Sequence, residues 1–258
     1  RLVEEERQIL PHDERWTSYI DELPAWGENP IKKSSSLNGQ VKPEGFGQWQ
    51  EKNVISQRQE GYKVVVIMLP LGDISSHQTR KLADIAEKYI GDYVRTTVEQ
   101  NFVLRWVSES DLPGLYEELN AIGLADPGAG TIVDITACPG TDTCKLGIAS
   151  SRGLADELRQ MLAPKQWELD EAVRNLRIKI SGCFNSCGQH HIADMGFYGN
   201  SRTFKGYKVP HFQVVLGGQW TNNAGNFGLA IGAVPSKNIP QVVLKLTNYY
   251  VENRSSKE

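Results

Sequence analysis

Four cysteines are the residues in this 258-residue chain best suited to carry chemistry, and they fall into two pairs. Five residues lie between Cys138 and Cys144, three lie between Cys183 and Cys187, and 38 separate the pairs. Iron–sulfur clusters take thiolates, four for a 4Fe-4S cubane, held on backbone that can bend around an inorganic core. Gly140 in the first loop and Gly182 and Gly188 around the second supply that freedom. Three other uses compete. Structural zinc prefers two to four residues inside each pair, so the longer first loop counts against it. Two disulfides satisfy parity, yet close cysteine pairs in a reducing cytoplasm, the expected compartment here, more often bind metal or do redox work. Unrelated buried cysteines are the third option, and spacing alone leaves the cluster only ahead of them.

The elements around the cysteines must bring the two pairs together. Thr131 to Thr136 reads as a strand ending at Cys138, and Leu176 to Ser181 as a strand ending at Gly182-Cys183. Four thiols at neighbouring strand ends suit an open α/β sheet, where ligands sit beyond the strands' carboxyl ends. A helix is expected to follow Cys144, burying Leu154, Leu158 and Leu162 and stopping at Pro164, with its positive end favouring anionic sulfur. Ile192 to Phe197 and Phe212 to Leu216 read as further strands. A last helix starts near Pro240 and turns Val243, Leu246 and Tyr250 inward.

Upstream, Lys63 to Leu69 is a β-branched apolar run, read as a buried strand. Ser75 with Gln78 forms a capping box that opens a helix with inner face Leu82, Ile85, Ala86, Tyr89 and Ile90, closed by Gly91. Tyr93 to Thr97 and Phe102 to Val107 are expected strands. A second helix follows, capped by Ser110, with Leu115, Leu119 and Ile122 inside and Gly123 as its stop. The pattern predicts a small α+β layer over 56–124, helices on one face of a mostly antiparallel sheet. The turn-rich stretch 124–130 marks the boundary with an α/β sandwich over 125–258 that binds the cluster. Residues 1–55, acidic and then rich in Pro, Gly, Ser and Asn, read as an extended linker over the surface. Trp16, Tyr19, Ile20 and Leu23 offer one short apolar face there, and some of the linker's aromatics are expected to dock on the body.

Composition excludes several classes. A net charge of -3 provides no basic footprint for nucleic acid, and no run of about 18 apolar residues exists to span a membrane. Residues 1–28 carry eight acids and three bases, the wrong sign for a signal peptide. The start at Arg1, without methionine, reads as a cut inside a longer polypeptide, so the site is expected to need the preceding half. The glycines from Gly123 to Gly130 precede a strand and not a helix, so they form no dinucleotide fingerprint.

The residues flanking the thiols are more specific than the spacing. Thr136-Ala137-Cys138-Pro139-Gly140-Thr141-Asp142-Thr143-Cys144 resembles the first cluster motif of the siroheme-dependent nitrite/sulfite reductase family. Gly182-Cys183-Phe184-Asn185-Ser186-Cys187-Gly188-Gln189, running on to Ile192-Ala193-Asp194-Met195-Gly196-Phe197, resembles its second. Residues 62–122 look like that family's ferredoxin-like half-domain and 131–258 like its cluster domain. Leu216-Gly217-Gly218 and Pro235-Ser236-Lys237-Asn238-Ile239-Pro240 also fit. Phe184 departs from the proline of many relatives and changes loop stiffness, not ligation.

The resemblance implies a 4Fe-4S cluster on Cys138, Cys144, Cys183 and Cys187, with Cys187 also axial to the siroheme iron. It implies six-electron reduction of nitrite to ammonia or sulfite to sulfide, the donor being ferredoxin or a flavoprotein. A non-enzymatic iron–sulfur carrier or structural metal domain is the alternative. Cys187-Gly188-Gln189 and Ala193-Asp194 lean to the nitrite branch, Pro139 to the sulfite branch. Asn185 is expected beside the macrocycle or the bridging sulfur, its plain role being an αL turn. Arg95, Thr97, Gln100 and Asn101 resemble the family's siroheme-contacting strand pair, the plain reading being a polar exposed strand face. The resemblance leaves the catalytic acids unassigned, because in relatives they come mostly from the N-terminal half. His190 and His191, adjacent on an expected strand, point to opposite faces and so share no metal. Arg202, Lys205 and Lys208 form a small basic cluster, either a solvated loop or a contact for an acidic donor.

Overall fold

A computed structural model describes residues 30–255 apart from 38, 40, 92 and 221–224, together with residues 5, 8 and 9. Trp16, Tyr19, Ile20 and Leu23 lie outside the described residues. Residues 1–30 form a unit of their own, in which Glu5, Gln8 and Ile9 are helical.

The linker expected through residue 55 gives way earlier to folded structure. Helix α1 (Phe46–Asn53) sinks Phe46 and Trp49 completely, and β1 (Val54–Ser56) follows it directly. Phe46, Trp49 and Tyr116 form a ring cluster with centroids 5.2–5.7 Å apart. Two well-spaced aromatics are enough to anchor one helical turn, and their burial stabilises what composition alone marks as connector.

Strand β2 (Tyr62–Ile67) buries Val65 and Ile67, and α2 (Ser76–Ile90) begins at the expected Ser75/Gln78 capping box. The buried residues of α2 are Leu82, Ile85, Ala86, Tyr89 and Ile90, and Gly91 at φ 85° ends it. Strands β3 (Val94–Thr96) and β4 (Phe102–Ser108) complete an antiparallel sheet of order β1-β2-β4-β3. Helix α3 (Leu112–Ala121) starts two residues after Ser110, which sits instead in a 3-10 turn with its hydroxyl bonded to Ser35. One continuous core joins α1, α2, α3 and this sheet.

The second core lies in a mixed sheet of order β5-β6-β7-β8-β9. Strand β5 is only Thr136–Ala137, much shorter than the expected 131–136. Ile132 and Val133 are buried as foreseen, but Asp134 N–H donates to Thr131 O and the Thr131 hydroxyl to Gly128 O, which winds the run into a turn. Helix α4 (Ser151–Leu162) buries Leu154, Leu158 and Leu162 but starts seven residues after Cys144, capped by Ser150. Short α5 (Glu171–Arg174) leads into β6 (Ile178–Ser181), which runs parallel to both neighbours and is buried along its whole length.

Strand β7 (Met195–Phe204) starts later than the expected Ile192 because His190–Ile192 is a 3-10 turn. With β8 (Tyr207–Leu216) it forms a ten-pair hairpin turning at Lys205-Gly206. Edge strand β9 (Leu229–Pro235) has no counterpart in the sequence reading, since its small residues show no alternation. Helix α6 (Ile239–Asn253) packs Val243 against the core, as expected. Among the described residues no helix is long and apolar enough to cross a membrane.

Candidate functional site

The two cysteine loops are tied to one another mainly through one residue, Gly182. Its N–H donates to Cys138 Sγ at 3.0 Å, and its carbonyl accepts from Ile148 and Ala149 N–H at 2.8 and 3.0 Å. Cys138 extends the β5–β6 ladder by donating to Ile180 O at 3.1 Å. From the first turn of α4, the buried Ser151 hydroxyl donates to Cys138 O at 2.7 Å and stands 3.5 Å from Cys138 Sγ. The positive end of α4 therefore meets Cys138 and not Cys144. Cys144 is held by its own N–H to Gly140 O and by Gly147 N–H to its carbonyl, both at 3.0 Å.

Glycine permits this nesting. A Cβ on Gly182 would lie 2.5 Å from Gly140 Cα, and one on Gly188 only 2.1 Å from Ile180 O. Neither neighbour is a side chain that can turn away. The second loop turns at Ser186 and Gln189, with φ of 59° and 60°, so the left-handed residue is Ser186 and not Asn185. Gln189 N–H donates to Ser186 O at 2.8 Å, and Gly188 N–H to the Ser181 hydroxyl at 3.1 Å.

All four thiols are free; Cys183 is buried, Cys138 half-buried, and Cys144 and Cys187 exposed. Asn185 is exposed as well, and the apolar side chains of Leu146 and Phe184 stand open beside the exposed thiols. Among the described residues no three His, Cys, Asp or Glu side chains gather as ligands to one ion. A cubane takes its thiolates one per iron, so its ligands need not meet at a point. A four-thiol donor set on two glycine-bearing loops, with an N–H directed at one sulfur, fits an iron–sulfur cluster.

The stretch from 95 to 101 runs from the end of β3 through a turn into β4. Arg95 is half-buried in β3 opposite Val103. Thr97 closes a turn, accepting Asn101 N–H on its hydroxyl and Gln100 N–H on its carbonyl. The Gln100 carboxamide both donates to Ala137 O and accepts from Ala137 N–H, each at 3.0 Å. Buried Asn101 accepts from Leu69 N–H at 2.8 Å and donates to Asp134 at 3.0 Å. The amides of Gln100 and Asn101 thus join the two cores.

His190 and His191 do not point apart. The turn that replaces their expected strand stacks the rings at 4.1 Å and 25°. His191 Nδ1 bonds the Ser186 hydroxyl at 2.6 Å and His190 Nδ1 the Ser181 hydroxyl at 2.8 Å, so both brace the second loop. Burial, with His191 adding, pushes the His190 pKa down to about 4. Arg202, Lys205 and Lys208 lie at the β7–β8 hairpin end, with Arg202 and Lys205 exposed beside exposed Phe204 and Tyr207.

Lys179 is a charged residue that the sequence reading left unremarked. It is buried in β6, where its ammonium donates to Gln189 Oε1 at 3.1 Å and lies 3.3 Å from the Thr136 hydroxyl. Burial lowers its pKa, while Glu99 and Asp134 draw it back up. Nearby, Arg177 stacks on Trp220 at 3.8 Å and is lowered by burial, and burial raises Asp134. A lone lysine inside the apolar run Ile178-Lys179-Ile180 was the signal available.

Known proteins share this arrangement of sequence. Residues 55–122 match the nitrite/sulfite reductase ferredoxin-like half domain, and residues 128–258 the nitrite and sulphite reductase 4Fe-4S domain. The chain is 29% identical over 201 residues to ferredoxin–nitrite reductase of Synechococcus elongatus, covering 77% of this chain and 38% of that one. It is likewise 29% identical to sulfite reductase [ferredoxin] 1 of Mycolicibacterium paratuberculosis, covering 79% and 37%. The structure of NirA from Mycobacterium tuberculosis superposes with a TM-score of 0.70 at 29% identity, over 80% of this chain and 39% of that one. Dissimilatory sulfite reductase I shares the fold, with a TM-score of 0.59 at 11% identity. The chain spans little more than a third of the length of the curated relatives it matches.

Proposed function

This chain belongs to the nitrite and sulfite reductase family, and from that premise we propose that it is the cluster-bearing part of an enzyme reducing nitrite to ammonia or sulfite to sulfide by six electrons. Cys138, Cys144, Cys183 and Cys187 would hold a 4Fe-4S cluster, and Cys187 is the thiol that would also serve siroheme. The observation that supports this most is the joining of the two thiol loops at Gly182, whose N–H and carbonyl bind one loop while Cys183 follows in the other.

Each part of the chain then has a task. Gly182 and Ser151 fix the orientation of Cys138, and His191 holds the turn before Cys187 through Ser186 while His190 bonds Ser181. Cys187, Asn185, Leu146 and Phe184 are exposed and would form the surface towards the macrocycle. Arg95, half-buried in β3 opposite Val103, is the cation of the 95–101 stretch and would suit a carboxylate of siroheme. The cofactors supply single-electron storage and the substrate-binding iron, while the protein positions them and tunes their potential.

The donor is ferredoxin, which the relatives' names carry, or a flavoprotein, and the proposed setting is a reducing cytoplasm. Iron, acid-labile sulfide and tetrapyrrole analysis of the full-length enzyme, with turnover of nitrite and of sulfite, tests the reading. Iron and sulfide with a siroheme spectrum are expected. Iron and sulfide without pigment would make the protein a carrier, and zinc would make it a structural domain.

A further inference from the structure

We infer that Gln100 is a positioning residue for the cluster, holding the Cys138 arm from the opposite core through the backbone of Ala137. This rests on Cys138 being a ligand, as proposed above. Ala137 is the second residue of the two-residue edge strand β5 and is fully buried. On one side β5 pairs with β6, and there the ladder bonds belong to residues flanking Ala137, such as Cys138 N–H to Ile180 O. In a parallel pair one residue's N–H and C=O both point the same way. Those of Ala137 point out of the sheet edge, where no further strand pairs among the described residues.

Gln100 satisfies that edge. One carboxamide presents an acceptor and a donor side by side, and both engage Ala137 at 3.0 Å. Cys138 is thus held on three sides, by Gln100 acting on its neighbour, by Ile180 at its N–H and by Ser151 at its carbonyl. The side chain is itself held in place. Gln100 sits at φ 68°, a left-handed conformation that non-glycine residues adopt at a cost. The Thr97 turn bond maintains it, and Gly72 lies close enough that a Cβ there would be 3.2 Å from Gln100 Cβ. Such strain persists where the surroundings demand one particular placement. The turn linking β3 and β4 in the first core therefore sets a ligand of the second.

A plain fastening role is the rival, and the test separates the two. Arg159 also spans the cores, pairing with Asp126 at 2.7 Å and reaching Val133 O, without touching residues 137 or 138. The full-length enzyme is prepared as Gln100→Met, Gln100→Glu and Arg159→Met. Iron release to a chelator under argon and the EPR spectrum of the reduced cluster are then measured. Gln100→Met should release iron about tenfold faster than wild type, since one unmade buried hydrogen bond is already worth that factor, and its EPR signal should shift. Arg159→Met should lower the unfolding temperature yet release iron at the wild-type rate.

Gln100→Glu gives a signature that fastening alone does not. A neutral carboxyl restores one donor and one acceptor, whereas a carboxylate faces the Ala137 carbonyl with no donor. Its release rate relative to wild type should therefore fall as pH is lowered from about 8 to about 6, burial favouring the neutral acid. This comparison also serves if the methionine variant does not fold. Release from the Gln100 variants matching that from Arg159→Met, with unshifted spectra and no pH trend in the ratio, overturns the inference. A wild-type enzyme without iron and sulfide instead overturns the cluster reading beneath it.

Discussion

Alanine at Gly182 should separate the two cysteine loops, and the structure sets the size of the effect. The new Cβ would lie 2.5 Å from Gly140 Cα and 3.0 Å from Ala149 O, both backbone atoms. Carbon contacts settle near about 3.5–4.0 Å, so the loops must part by roughly 1 Å. Overpacking of that kind costs about 1–3 kcal/mol. The same movement stretches three hydrogen bonds of 2.8–3.0 Å at Gly182 towards the limit of hydrogen bonding. Losing even one leaves a buried group unmatched, at about 1–3 kcal/mol. The sum, about 2–6 kcal/mol, corresponds to a fall in Tm of roughly 4–24 °C for a chain of this size.

The assay is thermal unfolding of the full-length enzyme together with iron and labile-sulfide content, and both should fall. Gly47→Ala is the opposite control. Its Cβ meets nothing within 4 Å on an exposed turn of α1, so it should stabilise by about 0.5–1 kcal/mol. A Gly182→Ala enzyme with unchanged Tm and full iron content would refute the idea that these loops are locked by backbone contact.

Cys187→Ser should injure two centres where the other three substitutions injure one. Any such protein retaining siroheme should show a heme no longer coupled to a cluster by Mössbauer or EPR spectroscopy, and coupling lost only in Cys183→Ser would move the bridge to that residue. His190 makes stability pH-dependent. Its folded pKa of about 4 lies below the ordinary 6.5, so the unfolded chain binds the proton first and stability falls as pH drops from 6.5 towards 4, by about 3 kcal/mol in all. His190→Gln should flatten that slope in denaturant titrations; an unchanged slope assigns it to other groups. Asn53→Ala removes four backbone partners, the carbonyls of Val66 and Asp126 and the N–H groups of Gly128 and Ala129, so a loss of about 2–5 kcal/mol is expected in urea unfolding. Reduced ferredoxin should support turnover by the full-length enzyme and NADPH alone should not; equal rates would remove the case for a one-electron donor protein.

Local signals were read well where the partners are near in sequence. The Ser75–Gln78 cap, the five-residue inner face of α2 and its stop at Gly91 need only residues within a few turns of each other. Local reading was poorer where a tertiary partner intervened. Helix α1 looks like linker until Trp49 and Phe46 meet Tyr116 from some seventy residues away. The run from Thr131 keeps its apolar core positions, yet its backbone bonds close on a turn, so periodicity alone misread it as strand. A strand would send the two histidines to opposite faces, whereas the turn at His190–Ile192 stacks them.

For the site, the sequence by itself singled out the four candidate thiols, because cysteine type, spacing and flanking glycines are properties of contiguous segments. It also determined the family, through motifs that need no folding to be recognised. Only the tertiary structure decided what the polar residues do. Gln100 and Asn101 bear the same amide whether it faces a macrocycle or a backbone edge. The choice depends on Ala137, 37 residues on, and on Asp134 and Leu69, which no local pattern connects to them. Lys179 likewise reads as one charge in a strand until the sheet closes over it and burial lowers its pKa. A hydrogen bond depends on where two chain segments meet, and that meeting point is set by the packing of both cores together.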